Sequence, residues 1–293
     1  MDIFAFLKNR FPKLYAEQNF SFARHTTIGT GGVAAAAVCP ASTEQTAELL
    51  AVLRREKIPY CFLGAGANVL PSDGRFEGVV VRFSRLDGLY ADGNLIYAGS
   101  GVTGGELCRF ARSRLLGGLE FLTGIPMTVG GAAAMNAGVR EKHFCDIVRR
   151  VVAVEEGKVR TFSLSECGYG EKDSVFLGGI AVTGVYLEVR ESFAEQIERE
   201  CCYFRTRRAA LPKGRSMGCA FVNPPGDSAG RLIEQCGLKG ARSGGAYISE
   251  VHANFILSDG ASSQEVSRLS QTVARTVREK TGISLREEFR RIP

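Results

Sequence analysis

The chain has 293 residues, of which 45% are hydrophobic and 23% charged, so it is long enough for one large domain or two and its composition argues against disorder. The net charge of +6 is modest and mostly scattered, which favours an anionic small molecule such as a polyphosphate over a nucleic acid. Nine cysteines without a CxxC or Cys/His metal spacing indicate reduced thiols in a cytoplasmic protein with no metal site.

The first half of the chain alternates short helical and strand patterns. Residues 1 to 18 carry charges every few positions, which argues against a signal peptide or a membrane span and predicts an amphipathic helix. Further helices are predicted over residues 42 to 57, where Ser42 and Gln45 form a capping-box pattern, and over residues 105 to 116. Short strands are predicted at YCFLG, GVVVRF, LIYAG, RRVVAV and IAVTGVYLEV. This mixture indicates an α+β or α/β domain without a regular βαβ repeat.

The pattern changes near residue 190. A charged helical stretch over residues 192 to 211 ends before a proline and leads into a second unit. The last helix of that unit is predicted from Ser262 to about residue 281, with Glu265 completing a capping box and a glycine as the stop signal. We therefore expect two domains, residues 1–190 and residues 191–293.

Three glycine-rich stretches stand out. In LGAGANVLPSDGRFEGVVVR (63 to 82), Gly64 and Gly66 allow a bare backbone to turn its N–H groups on a phosphate. This is not a dinucleotide-binding Rossmann fingerprint, because the third glycine is missing and no helix pattern follows. A tight β-turn without a ligand is the alternative.

The second stretch, GIPMTVGGAAAMNAG (124 to 138), combines small residues with Thr128 as a candidate helix cap. Its alternative is an Ala/Gly helix packed closely on another helix. The third glycine-rich stretch is HTTIGTGG (25 to 32). Together the three favour a large nucleotide cofactor over three unrelated turns.

These motifs, followed by GCAFVNPPGDSAGRLIEQCGLKG and ISEVHANFI, resemble in order and spacing the flavin-dependent UDP-N-acetylenolpyruvoylglucosamine reductases of cell-wall synthesis. The resemblance runs from about residue 20 to the C-terminus. It implies an α+β fold, with an FAD-binding domain of the vanillyl-alcohol-oxidase type followed by a smaller α+β substrate-binding domain. The chain resembles the shorter variety, which lacks a substrate-capping insertion.

The resemblance also implies the ligands. FAD is the expected cofactor, NADPH the reductant and a UDP-sugar enolpyruvyl ether the substrate, in a cytoplasmic monomer without nucleic-acid or membrane partners. The residues expected to bind FAD are Gly64, Ala65, Gly66, Ala67, Asn68, Thr128, Gly130, Gly131, Asn136 and Ala137. Those expected to contact the substrate are Asn223, His252, Arg207 and Arg208.

The implied reaction passes a hydride from N5 of reduced FAD to C3 of the enolpyruvyl group, so that C2 must be protonated and the enolate stabilised. Where the family usually has a serine as proton donor, this chain has Cys219, and a thiol is a stronger acid than a hydroxyl. Glu288 matches the family's C-terminal glutamate and, with Lys172, is expected to stabilise the enolate. A buried inert cysteine and an exposed glutamate are the alternatives.

Two further positions depart from the family pattern. Lys172 stands where the family has an arginine, so the charge is kept but the bidentate fork is lost. Met127 replaces an expected glycine. A different FAD oxidoreductase of the same fold is one alternative, and the changes at Lys172 and Cys219 make a flavin-binding protein that has lost catalysis another.

Overall fold

The fold is described from a computed structural model that covers residues 1–293. The α-helices are α1 (Ile3–Arg10), α2 (Phe22–His25), α3 (Thr43–Arg55), α4 (Gly104–Arg112), α5 (Val129–Met135), α6 (Ala194–Ala209), α7 (Ala229–Gln235) and α8 (Ser263–Thr281). Short 3-10 helices span Glu120–Leu122, Phe144–Asp146, Leu164–Cys167 and Val175–Gly178. None of these helices combines the length with the apolar composition that a transmembrane span requires.

The strands are short and numerous. In chain order they are β1 (Tyr15–Ser21), β2 (Val33–Cys39), β3 (Tyr60–Phe62), β4 (Val69–Pro71), β5 (Arg75–Val81), β6 (Leu89–Asp92), β7 (Leu95–Gly99), β8 (Leu116–Gly117), β9 (Gly138–Val139), β10 (Lys142–His143), β11 (Val148–Glu155), β12 (Lys158–Ser163), β13 (Ala181–Glu188), β14 (Arg190–Glu191), β15 (Arg215–Cys219), β16 (Arg242–Ser243), β17 (Ala246–Ile248), β18 (Phe255–Ser258) and β19 (Arg290–Ile292).

Three of the sheets have four or five strands. Their orders are β1-β2-β5-β3, β12-β11-β13-β7-β6 and β15-β18-β17-β16. The second is antiparallel throughout, with β13 pairing both β11 and β7. Three two-stranded ribbons, β10-β9, β14-β8 and β19-β4, complete the set, and β19 runs parallel to β4.

The chain divides into two compact units. The first comprises residues 1–18, 36–65 and 78–209, and the second comprises residues 19–35, 66–77 and 210–293. Within the first unit, one core lies between α3 and its strands and another around α4, α5 and the antiparallel sheet. In the second unit, α7 and α8 pack with their sheet around Phe221, Ile256 and Val273. The predicted boundary near residue 190 stays a prediction, and α6 belongs to the first of these units.

Local signals account for most of the helices. Ser42 accepts from the N–H of Gln45 at 3.1 Å, although the Gln45 side chain bonds to the N–H of Ala41 and not to that of Ser42. The predicted capping box of α8 is confirmed: Ser262 and Glu265 each bond to the other's backbone. A capping box that was not predicted from the sequence caps α4 through Thr103 and Glu106.

The predicted helix over residues 1 to 18 is wrong in its second half. Helix α1 ends at Arg10, and Tyr15–Ser21 forms strand β1. Pro12 explains the stop, since proline lacks an N–H and drives the preceding residue out of the helical region. Phe11 has φ −130° and ψ 72°, outside that region.

Candidate active site

In the first unit, the loop after β3 lies against the start of α5. A Cβ added to Gly64 would lie 2.7 Å from Thr128 Oγ1 and 3.6 Å from the Cα of Gly131. Thr128 caps α5 and accepts from the N–H of Gly131 at 3.3 Å. The glycine-rich stretches 63 to 82 and 124 to 138 therefore meet through bare backbone, and a side chain at Gly64 would separate them.

This region meets the chemical demands of FAD. Ser100 is 1% exposed, and its Oγ has no hydrogen-bond partner in the protein. That hydroxyl fills the place of a side chain at Gly130, where an added Cβ would collide with it. Nearby, Gly64, Ala65, Thr128 and Gly131 are partly exposed, so their backbone is accessible to a polar, polyphosphate-bearing ligand.

Close packing is also part of the explanation for the small residues. Helix α5 buries Val129, Gly130, Ala132 and Ala133. The backbone N–H of Gly130 donates to Ser100 O at 3.0 Å, which brings the start of α5 close to the end of β7. The alternative of a small-sided helix in tight contact thus accounts for Gly130, while the cofactor-binding role of Gly64 and Gly131 stays a prediction.

Met127 points into the core. It is 7% exposed and belongs to the apolar cluster around α4 and α5. Its Cγ would lie 3.0 Å from a Cβ added to Gly104, so the absence of a side chain at Gly104 makes room for it. The side chain that replaces the family's glycine is accommodated by a glycine on α4.

Asn136 holds a turn in place. It ends α5 in the left-handed conformation with φ 43° and is 4% exposed. Its Nδ2 donates to Gly170 O at 2.9 Å, and its Oδ1 accepts from the N–H of Cys145 at 2.9 Å. Both amide atoms are thus engaged with the protein backbone, which is a supporting role that the flavin-site prediction did not include.

Lys172 lies at the tip of the turn that Asn136 supports. Gly170 and Asp173 pair across it, with N···O distances of 3.0 and 3.4 Å. Lys172 has φ +56°, a left-handed conformation that costs a non-glycine residue energy. Ser174 anchors the far side by donating from Oγ to Ala134 O at 2.7 Å. The position of the lysine is therefore fixed through α5.

The two candidate arginines lie near the end of α6. Arg207 donates to Glu141 Oε1 at 2.7 Å and to Tyr203 Oη at 3.1 Å, and its side chain is 44% exposed. The stem of Arg208 lies against Gly124, where an added Cβ would be 2.9 Å from its Cδ. Gly124 opens the second glycine-rich stretch, so Arg208 is the one of the two that contacts that stretch.

In the second unit, Gly66 turns the loop after β3 against residues 25 to 27. Its φ is +66°, and an added Cβ would lie 2.2 Å from His25 O, so only glycine fits. The N–H of Thr27 donates to Gly66 O at 3.0 Å, and Thr27 Oγ1 donates to Ser216 O on β15 at 2.6 Å. Thr27 therefore connects the predicted phosphate-binding loop to the strand that carries Cys219.

Asn68 reaches the C-terminal segment. Its Nδ2 donates to Glu288 O at 3.1 Å, and its own carbonyl accepts from the N–H of Arg290 at 2.9 Å. The predicted cofactor residue Asn68 and the predicted catalytic residue Glu288 are thus in direct contact. Ala67 lies between Gly66 and Asn68 in the same loop.

The structure brings Cys219 and Glu288 together in the second unit. Strand β15 ends at Cys219, and the N–H of Glu288 donates to the carbonyl of the next residue, Ala220, at 2.8 Å. Cys219 is half-buried, and a register irregularity precedes it on β15, where Gly218 has φ +81°. Bulges of this kind redirect a side chain, here the thiol.

Asn223 and His252 both make contacts within the fold. Asn223 Oδ1 accepts from the N–H of Ala229 at 3.0 Å, at the start of α7. His252 Nδ1 accepts from the N–H of Asn254 at 3.2 Å, so the neutral ring carries its proton on Nε2. Burial lowers the pKa of His252, which favours this neutral form.

Two acidic residues next to the candidate segments are bonded within the fold. Glu287 accepts from Ser270 Oγ at 2.7 Å and pairs with Arg291 at 2.8 Å. Asp73, in the first glycine-rich stretch, accepts from the N–H groups of Ser263 and Gln264 at the start of α8. It thereby stabilises the helix terminus.

Sequence reasoning missed Thr27 and Asn254 as functional candidates. Asn254 is 3% exposed and bonds to both backbone polar groups of Phe221. The only available signal was an asparagine inside the apolar run HANFIL, where a buried amide requires partners. No cluster of three or more potential metal ligands is present.

Comparison with known proteins matches two separate stretches of the chain to family models. A family model described as "FAD binding domain" matches residues 34–163, and one described as "UDP-N-acetylenolpyruvoylglucosamine reductase, C-terminal domain" matches residues 210–292. These matches confirm the predicted α+β fold class, with an FAD-binding domain preceding a C-terminal substrate domain. The second match also argues against an unrelated substrate domain on the same FAD fold.

Full-length relatives extend the match to almost the whole chain. The UDP-N-acetylenolpyruvoylglucosamine reductase of Geobacter metallireducens is 38% identical over 272 residues, which is 92% of this chain and 91% of that protein. That of Caldanaerobacter subterraneus is 34% identical over 95% of this chain and 93% of its own length. The crystal structure of the Thermus caldophilus enzyme superposes with a TM-score of 0.83 at 35% identity, over 96% of this chain and 100% of that one. The chain therefore belongs to the UDP-N-acetylenolpyruvoylglucosamine reductase family.

Proposed function

We propose that Cys219 protonates C2 of the enolpyruvyl group, while Glu288 and Lys172 stabilise the enolate that precedes this step. The family membership makes the chain an FAD-dependent oxidoreductase that uses NADPH to reduce the enolpyruvyl ether of UDP-N-acetylglucosamine in peptidoglycan synthesis. The observation that carries the residue roles is the bond from Glu288 N–H to Ala220 O, which places Glu288 beside the backbone that follows Cys219.

For the cofactor, we propose that the bare backbone of Gly64, Ala65, Gly66 and Ala67 binds the pyrophosphate. Thr128, Gly130, Gly131 and Ala137 contribute the surrounding surface. FAD, when bound, supplies the hydride that C3 of the substrate receives. Asn68 and Asn136, also predicted to bind FAD, support Glu288 and the Lys172 turn through the hydrogen bonds described above.

The protein's own chemistry at C2 is a proton transfer. The thiol of Cys219 gives its proton to C2 as the C–H bond forms, and the thiolate is reprotonated from solvent before the next turnover. A thiol is a better acid than the serine hydroxyl usual at this position, so the substitution preserves the role. Positive charge on Lys172 and hydrogen bonding by Glu288 act on the substrate carboxylate, where the enolate charge accumulates.

Four further residues are proposed to bind the UDP-sugar. His252 is held neutral with its proton on Nε2, so that nitrogen is a hydrogen-bond donor. Asn223 retains its amide donor while its oxygen accepts from Ala229. Arg207 and Arg208 offer positive charge for the diphosphate, and binding there requires Arg207 to exchange its partner Glu141 for the ligand.

Anaerobic stopped-flow absorbance tests the proposal. NADPH should bleach the flavin of the holoenzyme, and the enolpyruvyl sugar should restore its colour. In Cys219→Ala, flavin reduction should keep its rate, whereas reoxidation by the substrate should slow by about 100-fold, the usual cost of a lost general acid. Cys219→Ser is the matched control and should retain most of the rate. Wild-type reoxidation in Cys219→Ala would show that Cys219 only fills space.

We also propose that the enzyme works in the cytoplasm as a monomer, without nucleic-acid or membrane partners. The support is a modest net charge of +6 and nine free cysteines, as expected of a reducing compartment. Sedimentation equilibrium at micromolar concentration should return the mass of one chain, 31.6 kDa plus cofactor. A dimer mass would overturn the monomer.

A further inference from the structure

We infer that Asn254 is a positioning residue for proton delivery, holding the backbone next to Cys219 in the geometry that the transfer needs. The inference rests on the proposed role of Cys219. The backbone N–H of Asn254 donates to Nδ1 of His252, a proposed substrate-binding residue, and this bond does not depend on the Asn254 side chain. The side chain of Asn254 acts through the segment that follows Cys219.

Asn254 makes an unusually complete set of contacts with that segment. Its Oδ1 accepts from the N–H of Phe221 at 2.9 Å, and its Nδ2 donates to Phe221 O at 2.7 Å. Its backbone carbonyl accepts from the N–H of Ala220 at 2.7 Å. Three hydrogen bonds therefore fix the two residues directly after Cys219.

These bonds replace a sheet ladder that stops at this point. Cys219 pairs with Phe255, and regular pairing of β15 with β18 ends there, after the irregularity that includes Gly218. Phe221 is 1% exposed, so its backbone groups need partners inside the protein. The primary amide of Asn254 offers an acceptor and a donor at once, and so satisfies both backbone polar groups of this residue.

The opposite edge of the segment is bound by the C-terminal strand region. Ala220 O accepts from the N–H of Glu288, and the N–H of Val222 donates to Arg286 O at 2.9 Å. The segment is thus held from both sides, by Asn254 on one and by residues 286 to 288 on the other. Replacing Asn254 with alanine removes the two side-chain bonds and keeps the backbone bond to Ala220, which loosens one side and lets Cys219 move relative to Glu288.

Asn254→Ala tests this role, with Ser258→Ala as the matched control. Ser258 is buried at the other end of β18, and its Oγ accepts from the N–H of Ala261 at 3.2 Å. Asn254 immediately precedes β18 and Ser258 ends it, so both variants lose a buried side-chain hydrogen bond at an end of this strand, but the Asn254 side chain is the one bonded to Phe221. Both half-reactions are measured at saturating NADPH and saturating enolpyruvyl sugar, in H2O and in D2O.

We expect Asn254→Ala to reduce its flavin with NADPH at the wild-type rate. Reoxidation by the substrate should slow by at least about 10-fold, with a larger solvent isotope effect, because misplacing a catalytic group by a fraction of an ångström has costs of this order. Ser258→Ala should match the wild type in both half-reactions and in the isotope effect. Wild-type reoxidation in Asn254→Ala, or an equal slowing in Ser258→Ala, overturns the inference.

A double-mutant cycle separates this inference from the role of Cys219. If Asn254 acts through the thiol, adding Asn254→Ala to Cys219→Ala should cause little further slowing, whereas independent effects would multiply. If the alanine variant does not fold, Asn254→Asp replaces it in the test, because aspartate keeps the side-chain volume and the Oδ1 acceptor. This variant too should slow only reoxidation. If Cys219→Ala itself is as fast as wild type, the proton-donor role fails; if only the Asn254 variants are fast, the positioning role fails.

Discussion

The amide N–H of Glu288 donates to the carbonyl oxygen of Ala220 across 2.8 Å. This bond joins the C-terminal segment to the peptide that follows Cys219, although the two stretches are far apart in the sequence. Asn68 adds a second link by donating to Glu288 O at 3.1 Å. The two residues proposed to act on the enolate and on C2 are therefore placed by backbone pairing, which is more rigid than side-chain contact.

Replacing Glu288 with Gln should slow substrate reduction and leave flavin reduction unchanged. Loss of a group that stabilises developing charge costs about 100-fold or more. Glu287→Gln is the matched control. The Glu287 carboxylate bonds to Ser270 and Arg291, so its replacement should affect stability only. Stopped-flow traces of both half-reactions make the comparison, and equal slowing in the two variants would remove Glu288 from the enolate site.

Replacing Lys172 with Met should weaken the oxidative half-reaction by about 10- to 100-fold, since a hydrogen bond from a charged group contributes about 1.5–3 kcal/mol. Lys172→Arg should retain most of the rate, because the charge is kept. Glu171, exposed on the same turn, provides the control Glu171→Gln, which should behave as wild type. Rates are read from flavin reoxidation at varied substrate concentration. A Lys172→Met variant with wild-type kinetics would show that the lysine does not stabilise the enolate.

Met127→Ala should lower the free energy of unfolding by about 2–5 kcal/mol, the usual cost of truncating a buried methionine. Met127→Leu conserves volume and should cost less than about 1.5 kcal/mol. Urea denaturation of the apoprotein gives these values, and flavin fluorescence titration should give an unchanged FAD affinity for both variants. A stable Met127→Ala protein with weakened FAD binding would mean that the side chain shapes the cofactor site after all.

The free energy of unfolding should decrease as the pH falls below about 6.5, because of His252. Burial lowers the pKa of this histidine in the folded state, so below about 6.5, its ordinary pKa, the unfolded chain takes up the proton first. The contribution is complete above that value and is lost as the pH falls towards the lower folded-state pKa. Urea denaturation at pH 7.5 and at pH 5.5 should show a smaller difference for His252→Gln than for the wild type. An equal difference would mean that His252 does not titrate on unfolding.

Local chemistry allowed much of the secondary structure to be predicted. Ser262, Glu265 and Gly282 bound α8 as predicted, because capping and left-handed stop signals act within a few residues. The same reasoning predicted α3 to within two residues at each end. It failed at residues 15 to 18, where the helical pattern continued past Pro12 and strand pairing decided the conformation.

The candidate site also has a part that the sequence predicts and a part that only the tertiary structure reveals. The motif register alone led to Cys219, Glu288 and Lys172, and the sequence by itself determined the family, the cofactor and the reaction class. Only the tertiary structure revealed that Asn254 bonds to a residue 33 positions away and that Thr27 reaches a carbonyl 189 positions away. Tertiary packing likewise turned Met127 into the core against Gly104. Caps and turns are decided by near neighbours in the chain, whereas partners of buried polar and bulky groups are decided by which distant segments the fold packs together.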